Sequence, residues 1–281
     1  MPAAPVMPRL RIGLTYLWRH RRLPQIAEPR LFTEWVQHRK LFDRDIRLPM
    51  LADKIAAKAF VADRLGPEWI VPTLWQGTEL PREPIWPGSF VVKSRHGCNQ
   101  TRFWRGGDDA DWRKIRRASR RWMRGRYGLW LDEWLYEGIE RGLMVEPFLG
   151  GGPALPIDYK LFVFAGRVEY VQVHLGRGER HRWIVLDRDW RRLSADGADP
   201  DPVRPRTLPG MIEAAETLAS GFDFVRVDLY EIGGRPLFGE MTFYPGSGLD
   251  RFAPPTLDDR MGRDWAKARA EVTPASLPPP A

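Results

Sequence analysis

The sequence contains very little cysteine. Cys98 is the only one among 281 residues. A single cysteine excludes disulfide bonds within the chain and is typical of proteins in a reducing compartment. The chain must therefore be held together by its core, and its length is enough for one large domain or two lobes.

Long apolar runs are also missing. No stretch approaches the roughly 20 residues that a membrane-spanning helix needs. The segment MPRLRIGLTYLWRHRR, which begins at Met7, is basic with a short apolar centre, but arginines interrupt it and it lacks a small-residue cleavage site. We expect a cytoplasmic protein with no membrane span.

Acidic residues are fewer than basic ones. The chain has 44 Lys and Arg against 36 Asp and Glu, a formal charge of +8. The segment from Arg102 to Arg126 has ten basic and three acidic residues and holds nearly all of the surplus. Because the charge is confined to one segment, nucleic acid is not an expected partner of the whole protein.

What is present is a clear hairpin pattern from Phe222 to Gly248, FDFVRVDLYEIGGRPLFGEMTFYPGSG. FVRVDLY alternates apolar and polar residues and predicts a half-buried strand, and PLFGEMTFY predicts a second one. A three-residue loop from Gly233 to Arg235 would set Asp228 directly opposite Glu240, on the same face of the sheet. A two-residue turn on the glycines would instead put Glu240 on the other face.

Two opposed carboxylates repel each other unless a cation lies between them. Oxygen ligands of this kind suit a hard divalent ion such as magnesium, and Thr242 offers a third oxygen on the same face. The alternative is a surface hairpin whose acids pair with arginines. The following loop favours the metal, because its free N–H groups can hold an anion. Its candidate binding residues are Tyr244, Gly246, Ser247 and Gly248.

Helical and strand patterns fill the rest of the chain. Helices are predicted over residues 32–42 (capped by Thr33), 50–65, 111–125, 129–141 and 211–219, and strands over 69–75, 89–93, 143–149, 159–164, 168–174 and 183–190. This order predicts an α+β fold with two sheet-bearing lobes. The predicted regions are a helical lead-in (1–49), an N-terminal lobe (50–150), a C-terminal lobe (151–266) and a disordered tail (267–281), with a hinge at 150–153.

Three further stretches are candidates for holding a nucleotide. Lys93 ends a strand beside the loop His96–Asn99, where a lysine and free N–H groups suit a phosphate, although a solvated lysine and a structural histidine are the simpler interpretations. Glu146–Leu149 leaves a strand with backbone groups that can read an adenine edge. Asp158 and Lys160 share a strand face and form either an ion pair or a γ-phosphate contact.

Together these stretches resemble the ATP-grasp superfamily and, within it, the TupA-like branch named for teichuronopeptide biosynthesis. The matching segments are LADKIAAKAFV, SFVVKSRHGCNQ, WLDEWLYEGIERGLMVEPFL, DYKLFVFAGRVEYVQV and FDFVRVDLYEIGGRPLFGEMTFYPGSG, spread over residues 31–264. The resemblance implies an ATP-grasp fold, in which two lobes with antiparallel sheets clasp ATP.

The resemblance also implies roles for individual residues. Metal ligands would be Asp228, Glu240 and Thr242, where the superfamily usually has asparagine at the last position. Catalytic roles would fall to Lys160 and Arg226, facing the γ-phosphate and the acceptor carboxylate. ATP would contact Lys54, Lys93, His96, Gly97, Asn99, Glu146, Pro147, Phe148 and Leu149.

The activity that the resemblance implies is carboxylate–amine ligation through an acylphosphate, with ATP and Mg²⁺ as cofactors. The implied substrates are a small-molecule or glycan acid and an amino acid. The implied setting is the synthesis of a cell-surface polysaccharide or a peptide conjugate. Such chemistry depends on positioning and charge and needs no covalent nucleophile. Two alternatives stay open. One is a kinase acting on a hydroxyl, and the other is a non-enzymatic binder of an anionic polymer or RNA through residues 102–126.

Overall fold

The computed structural model describes residues 6–150, 155–176, 182–195 and 199–272. The described chain contains the α-helices α1 Val6–His20, α2 Phe32–Phe42, α3 Arg47–Ala52, α4 Lys54–Leu65, α5 Asp109–Arg124, α6 Leu208–Leu218 and α7 Thr256–Glu271. Its strands are β1 Trp75–Gly77, β2 Phe90–Ser94, β3 Thr101–Trp104, β4 Leu143–Pro147, β5 Asp158–Phe164, β6 Arg167–Leu175, β7 Arg182–Asp187, β8 Phe224–Ile232 and β9 Arg235–Thr242.

The strands form two antiparallel sheets, one with the order β1-β4-β2-β3 and one with the order β7-β6-β5-β8-β9. The predicted α+β class is confirmed. The chain divides into two compact units. The four-stranded unit is Asp45–Pro153, and the five-stranded unit is Met1–Arg44 with Ala154–Ala281.

In the four-stranded unit, α5 packs against the sheet. Its apolar side chains recur at helical spacing, and the predicted inner face of Trp112, Ile115 and Trp122 is buried against residues of β2 and β4. The carboxylate of Asp108 caps the helix by accepting a hydrogen bond from the Asp111 N–H at 2.9 Å. The arginines of α5 lie on the opposite, outer side.

In the five-stranded unit, aromatic rings fill the core beneath the sheet. The ring centroid of Phe224 in β8 lies 5.1 Å from that of Phe32 in α2 and 4.3 Å from that of Trp265 in α7. Such ring pairs stabilise a core beyond the area they bury. α2 and α7 therefore cover the Phe224 end of this sheet face, and Arg226 and Asp228 continue the same face with polar side chains, because residues two positions apart on a strand share a face.

The hairpin β8–β9 has the predicted register but a different construction. The turn is the two-residue Gly233–Gly234, both at positive φ (58° and 74°), and not the predicted three-residue loop. A β-bulge then leaves Gly239 unpaired, because Leu229 pairs with Phe238 while Asp228 pairs with Glu240. The extra residue restores the shared face that a two-residue turn alone would have lost.

Other predicted elements need correction. The predicted helix 50–65 is two helices, because Asp53 is extended and caps α4 through Ile55 N–H at 2.9 Å. The predicted helix 129–141 is only two short 3-10 turns, separated by Asp132 at φ 55°. The predicted strand 69–75 reduces to the start of β1. Thr33 is not the cap of α2; it lies inside the helix and bonds the buried Asp258.

Some predicted regions also differ in extent. Residues 1–44 group with the second half of the chain, whereas the sequence predicts a separate lead-in. α7 includes residues 267–271, which the sequence assigns to a disordered tail; residues 273–281 lie outside the described part. Residues 151–153 of the predicted hinge also lie outside it. None of the described helices is long and apolar enough for a membrane span.

Candidate functional site

A set of polar side chains crosses one face of the five-stranded sheet. Lys160 in β5 pairs with Asp228 in β8, and Asp228 pairs with Glu240 in β9, so the three residues form a line across neighbouring strands. Paired residues share a face, and residues two positions away on each strand share it too. We call this set the polar row; its members are Asp158, Lys160, Arg226, Asp228, Glu240 and Thr242.

Asp228 lies at the centre of the polar row and is 1% exposed. Its carboxylate accepts hydrogen bonds from Lys160 Nζ and from Arg226 Nε and Nη2, the last two at 2.7 and 2.8 Å. Burial raises the pKa of Asp228 to about 6, although both cations oppose the shift. The ionised form thus depends on positive charge close by, which is the electrostatic setting of a cation ligand.

Arg226 bridges the members of the polar row on β8 and β9. Its Nη2 donates to Thr242 Oγ1 at 3.0 Å and lies 3.7 Å from Glu240 Oε1. The guanidinium therefore lies among the three residues predicted to bind a metal. Glu240 is the more accessible carboxylate, with its side chain 32% exposed against 1% for Asp228.

The ligand atoms of the predicted metal site are of the kind that magnesium prefers. Two carboxylates and a hydroxyl supply only oxygen, and Mg²⁺ is held by one or two carboxylates plus substrate phosphates. Within the described residues no three histidine, cysteine, aspartate or glutamate side chains form a metal-binding group. A metal here would therefore take the rest of its ligands from a substrate and from water.

Lys160 is almost fully buried between two acids. Its ammonium lies 2.8 Å from Asp158 Oδ2 and also contacts Asp228 Oδ2. Burial lowers the pKa of Lys160, but the nearby carboxylates more than compensate, and the pKa is raised above its ordinary value. Lys160 is thus a fixed positive charge beside Asp228. The ion pair between Asp158 and Lys160 that was considered as an alternative is present, although both partners are buried and do not lie at the surface.

The four-stranded unit has a second charged cluster, built around Glu146. This carboxylate is buried at the end of β4 and contacts Lys58 from α4 and Lys93 from β2, the latter at 2.6 Å. Burial raises the pKa of Glu146, but the two ammonium groups lower it by more. The pKa of Glu146 is therefore below its ordinary value. We call Lys58, Lys93 and Glu146 the lysine cluster. Lys58 has no distinguishing motif in the sequence and was missed there.

The loop after β2 is held by its side chains. Lys54 Nζ donates to the Gly97 carbonyl at 2.5 Å, so this predicted ATP ligand reaches the loop. His96 is buried, with Nε2 3.2 Å from the Trp122 carbonyl and Nδ1 accepting from Gly142 N–H at 3.3 Å. Any contact of His96 with a nucleotide must therefore come from its backbone. Asn99 is exposed at φ 57°.

Beyond Val145, no described strand pairs with one edge of the predicted adenine-reading segment. β1 pairs with β4 only as far as Val145, and Leu74 N–H donates to the Val145 carbonyl at 2.8 Å. Hydrogen-bonding direction alternates along a strand, so the Pro147 carbonyl faces the same edge beyond the end of β1. Phe148 N–H is used on the other edge, where it donates to Ser89 at 3.0 Å.

The loop after β9 is anchored by its carbonyl groups. Gly246, Ser247 and Gly248 all have positive φ (52°, 57° and 68°), which turns the chain sharply. The Ser247 carbonyl accepts from Gln37 Nε2 and Lys40 Nζ, both at 2.8 Å, and Ser247 Oγ accepts from Lys40 Nζ at 2.6 Å. Tyr244, before the turn, is buried. The buried polar residues of α2 therefore hold the loop predicted to bind substrate.

With these features in view, the comparison with known families is decisive. A model described as TupA-like ATPgrasp matches residues 34–266. The chain belongs to the TupA-like ATP-grasp family. The match covers most of the sequence, includes every candidate site residue, and confirms the resemblance seen in the five sequence segments.

Solved structures similar to this TupA-like chain are distant. D-alanine-D-alanine ligase from Helicobacter pylori is 14% identical, with 81% of this chain and 60% of that chain covered and a TM-score of 0.45. VanG D-Ala:D-Ser ligase from Enterococcus faecalis is 12% identical, with 80% and 62% covered and a TM-score of 0.47. The ATP-grasp ligase PsnB complexed with minimal precursor is 12% identical, with 79% and 62% covered and a TM-score of 0.43.

The TupA-like chain spans about three fifths of the length of these structures. No curated protein matches it by sequence. Family membership therefore rests on the family match alone.

One surface of the TupA-like chain does not belong to either charged cluster. An open groove of about 470 Å³ on α5 is lined by the side chains of Arg113, Arg116, Arg117, Arg120, Arg121 and Arg124. Glu79 lies 2.7 Å from Arg120 and 3.7 Å from Arg116. Among the described residues, the side chains of the other four arginines form no ion pair or hydrogen bond.

Proposed function

We propose that this protein is an ATP-dependent carboxylate–amine ligase that works through an acylphosphate. The observation that carries the proposal is the polar row, in which Asp228 and Glu240 are paired across β8 and β9 with Lys160 and Arg226 beside them. An acid pair with adjacent cations matches the needs of phosphoryl transfer from a magnesium nucleotide. Membership of the ATP-grasp family supports the same conclusion.

Asp228, Glu240 and Thr242 are the proposed magnesium ligands. Mg²⁺ bound there would neutralise charge on the phosphates and orient the γ-phosphoryl group for attack. Arg226 and Lys160 neutralise Asp228. In the proposal these two cations turn to the γ-phosphate and the substrate carboxylate, where they stabilise the charge that spreads in the transition state.

The lysine cluster is the proposed phosphate end of the ATP site. Lys93 is 24% exposed and contacts phosphate, and Lys54 acts with the backbone of His96, Gly97 and Asn99. Glu146 has a different role from the one its position in the hinge implies. Its buried carboxylate contacts Lys58 and Lys93, and in the proposal it positions these two ammonium groups.

The adenine is proposed to bind along the open edge of β4. The Pro147 carbonyl would accept from the exocyclic amine and the Leu149 N–H would donate to the ring. Phe148 supplies an aromatic wall, because its ring lies 5.9 Å from that of Phe103 and 4.5 Å from the guanidinium of Arg105.

The proposed chemistry has two balanced steps. A carboxylate oxygen of the acid attacks the γ-phosphorus, the bond to the bridging oxygen breaks, and ADP leaves with that electron pair. An amine nitrogen then attacks the carbonyl carbon of the acylphosphate, inorganic phosphate leaves, and the amine loses a proton. We assign the loop of Tyr244, Gly246, Ser247 and Gly248 to acid or amine binding, because Lys40 and Gln37 hold it rigid.

The proposed substrates are a small-molecule or glycan carboxylate and an amino acid, in cell-surface polysaccharide or peptide-conjugate synthesis in the cytoplasm. The arginine groove of α5 favours a second candidate, binding of an anionic polymer, because four unpaired guanidinium groups on one helix face attract carboxylates or phosphates. RNA stacking is disfavoured, since Trp112 and Trp122 are buried and offer no platform.

Hydroxylamine trapping distinguishes the ligase from a kinase. An acylphosphate reacts with hydroxylamine to give a hydroxamate, whereas a phosphorylated hydroxyl does not. Candidate amino acids and uronic acids would be incubated with MgATP and hydroxylamine, and products identified by mass spectrometry. The ligase predicts ADP and hydroxamate together, both lost in Glu240→Gln. A stable phosphorylated product formed without any amine would establish the kinase instead.

A further inference from the structure

Helix α1 is attached to the five-stranded unit through a narrow face. Ile12 and Tyr16 are its buried residues, and Tyr16 Oη lies 2.9 Å from Thr33 Oγ1 of α2. Near the end of the helix, Arg19 Nε donates to the Leu249 carbonyl at 2.8 Å, and His20 Nε2 lies 3.1 Å from the Gly248 carbonyl. These contacts fix how α1 is oriented and therefore which residues it presents outward.

The outward face of α1 is apolar. Its six exposed apolar side chains include Leu14 and Trp18, which are 57% and 69% exposed; the full set is Val6, Met7, Leu10, Leu14, Leu17 and Trp18. At 3.6 residues per turn they fall within roughly one third of the helix circumference, with no polar residue among them. Single exposed leucines are ordinary on a protein surface, but a continuous stripe marks an interaction site.

The charge of α1 indicates what this stripe contacts. The chain has no acidic residue before Glu28, whereas Arg9, Arg11, Arg19 and Arg21 flank the stripe or follow it. Trp18 lies at the end of the stripe, next to Arg19 and Arg21. An apolar face with tryptophan and flanking arginines is the pattern of a helix that lies in a membrane interface.

A second copy of the chain is a poorer occupant. Two such helices in contact would bring their arginines together with no carboxylate on either helix to compensate. An anionic lipid surface supplies both an apolar layer for Leu10, Leu14 and Trp18 and negative charge for the arginines. At 15 residues, α1 is too short to span a bilayer, so it would lie along the surface.

We propose that α1 docks the protein onto an anionic lipid surface through the Leu10–Leu14–Trp18 stripe. The inference is independent of the ligase proposal, because none of these residues belongs to the charged clusters. Membrane contact would have a consequence for the site all the same. Arg19 and His20 join α1 to Gly248 and Leu249, so docking would hold the loop proposed to bind substrate close to the lipid.

Vesicle co-sedimentation of the full chain tests the proposal. Vesicles of phosphatidylcholine alone would be compared with vesicles containing one third phosphatidylglycerol. The triple variant Leu10→Ser, Leu14→Ser, Trp18→Ser removes apolar surface but no charge. We expect the wild-type chain to sediment with the anionic vesicles and the triple variant to bind at least tenfold more weakly, with an unchanged melting temperature, because all three side chains are exposed.

A matched control separates α1 from general electrostatic attraction. Arg117→Gln with Arg121→Gln lowers the charge of the α5 groove and should leave at least half of the vesicle binding. Equal binding by the triple variant and the wild type would overturn the proposal, as would loss of binding in the α5 variant alone. A wild-type dimer in light scattering that ignores vesicles and becomes monomeric in the triple variant would instead assign the stripe to a second copy.

Discussion

The two units of the protein each contain a buried charged cluster at a sheet, but with opposite balance. The polar row has three carboxylates, Asp158, Asp228 and Glu240, against the two cations Lys160 and Arg226. The lysine cluster has Lys58 and Lys93 against Glu146 alone. The most accessible members of the two clusters are Glu240 and Lys93, whose side chains are 32% and 24% exposed, so a ligand of opposite charge can reach each cluster.

The difference in sign indicates the difference in ligand. A surplus of carboxylate on the polar row suits a divalent cation, and a surplus of ammonium in the lysine cluster suits phosphates. Both belong to one magnesium nucleotide. Each cluster thus has the charge that opposes one part of the proposed ligand, the metal for the polar row and the phosphates for the lysine cluster.

Removing a carboxylate from the polar row should have the largest effect. Asp228→Asn and Glu240→Gln should each lower ligase turnover about a hundredfold or more, because the metal loses one of its two carboxylates. The check is the magnesium-dependent rate of ADP formation, with Glu213→Gln on the exposed face of α6 as control. Asp228→Asn should also destabilise the fold, since Lys160 and Arg226 lose a buried partner, whereas the more exposed Glu240→Gln should not. Normal turnover in Glu240→Gln would contradict the metal assignment.

Removing a cation from the lysine cluster should have the next largest effect. Lys93→Met should raise the KM for ATP about tenfold to a hundredfold, the range expected for one charged hydrogen bond. Lys114→Met on the exposed side of α5 removes the same charge and should leave the KM unchanged. If Lys93→Met leaves the KM for ATP unchanged, Lys93 does not bind phosphate and is only a structural partner of Glu146.

The acid of the lysine cluster should act on stability. Glu146→Gln should lower the free energy of unfolding at neutral pH by about 3 kcal/mol, because it leaves two lysines beside a neutral group. The pKa of Glu146 is lower in the folded chain than its ordinary value of 4.5, so its contribution is fully present above that value and is lost as the pH falls through the lower, folded pKa. Urea denaturation at a series of acidic pH values should therefore show a shallower stability loss in Glu146→Gln. If the wild type and Glu146→Gln lose the same free energy of unfolding as the pH falls, the ionised Glu146 does not stabilise the fold.

The bulge at Gly239 offers the smallest and most specific change. A Cβ there would lie 3.0 Å from the Asp228 carbonyl and 3.0 Å from Tyr230 Cε2, so Gly239→Ala should disturb the alignment of Asp228 with Glu240. We expect turnover to fall about tenfold and the free energy of unfolding by about 1 kcal/mol. Gly210→Ala in α6 has no heavy atom within 4 Å of the new Cβ and should stabilise by about 0.5–1 kcal/mol. Full activity of Gly239→Ala would show that the pairing tolerates a shift.

The same bulge shows how far sequence reasoning reached in this fold. The alternation of β8 and the two glycines predicted the hairpin and the shared face of Asp228 and Glu240. The stated cause, a three-residue loop, was wrong, because Gly239 has no pattern that distinguishes a bulge from an ordinary strand glycine. The strong helical periodicity of α5 was sufficient to predict which side of the helix is buried, since the buried face in the structure is the predicted one.

Residues whose role depends on long-range contacts were less predictable. Asp53 breaks the predicted helix because it caps α4 and pairs with Arg95, 42 positions away. Lys58 appeared as an ordinary helix residue, although its ammonium is bound to Glu146. Local propensity contains no information on such partners, and tertiary contacts override it.

Direct measurement of divalent-ion binding tests the division of charge between the two clusters most directly. Mn²⁺, which can be counted by electron paramagnetic resonance, would be titrated into the protein with a non-hydrolysable ATP analogue, in wild type, Glu240→Gln and Lys93→Met. The account predicts that Glu240→Gln loses bound Mn²⁺ even when the analogue is saturating, whereas Lys93→Met recovers full Mn²⁺ binding at high analogue concentration. Undiminished Mn²⁺ binding in Glu240→Gln would contradict it.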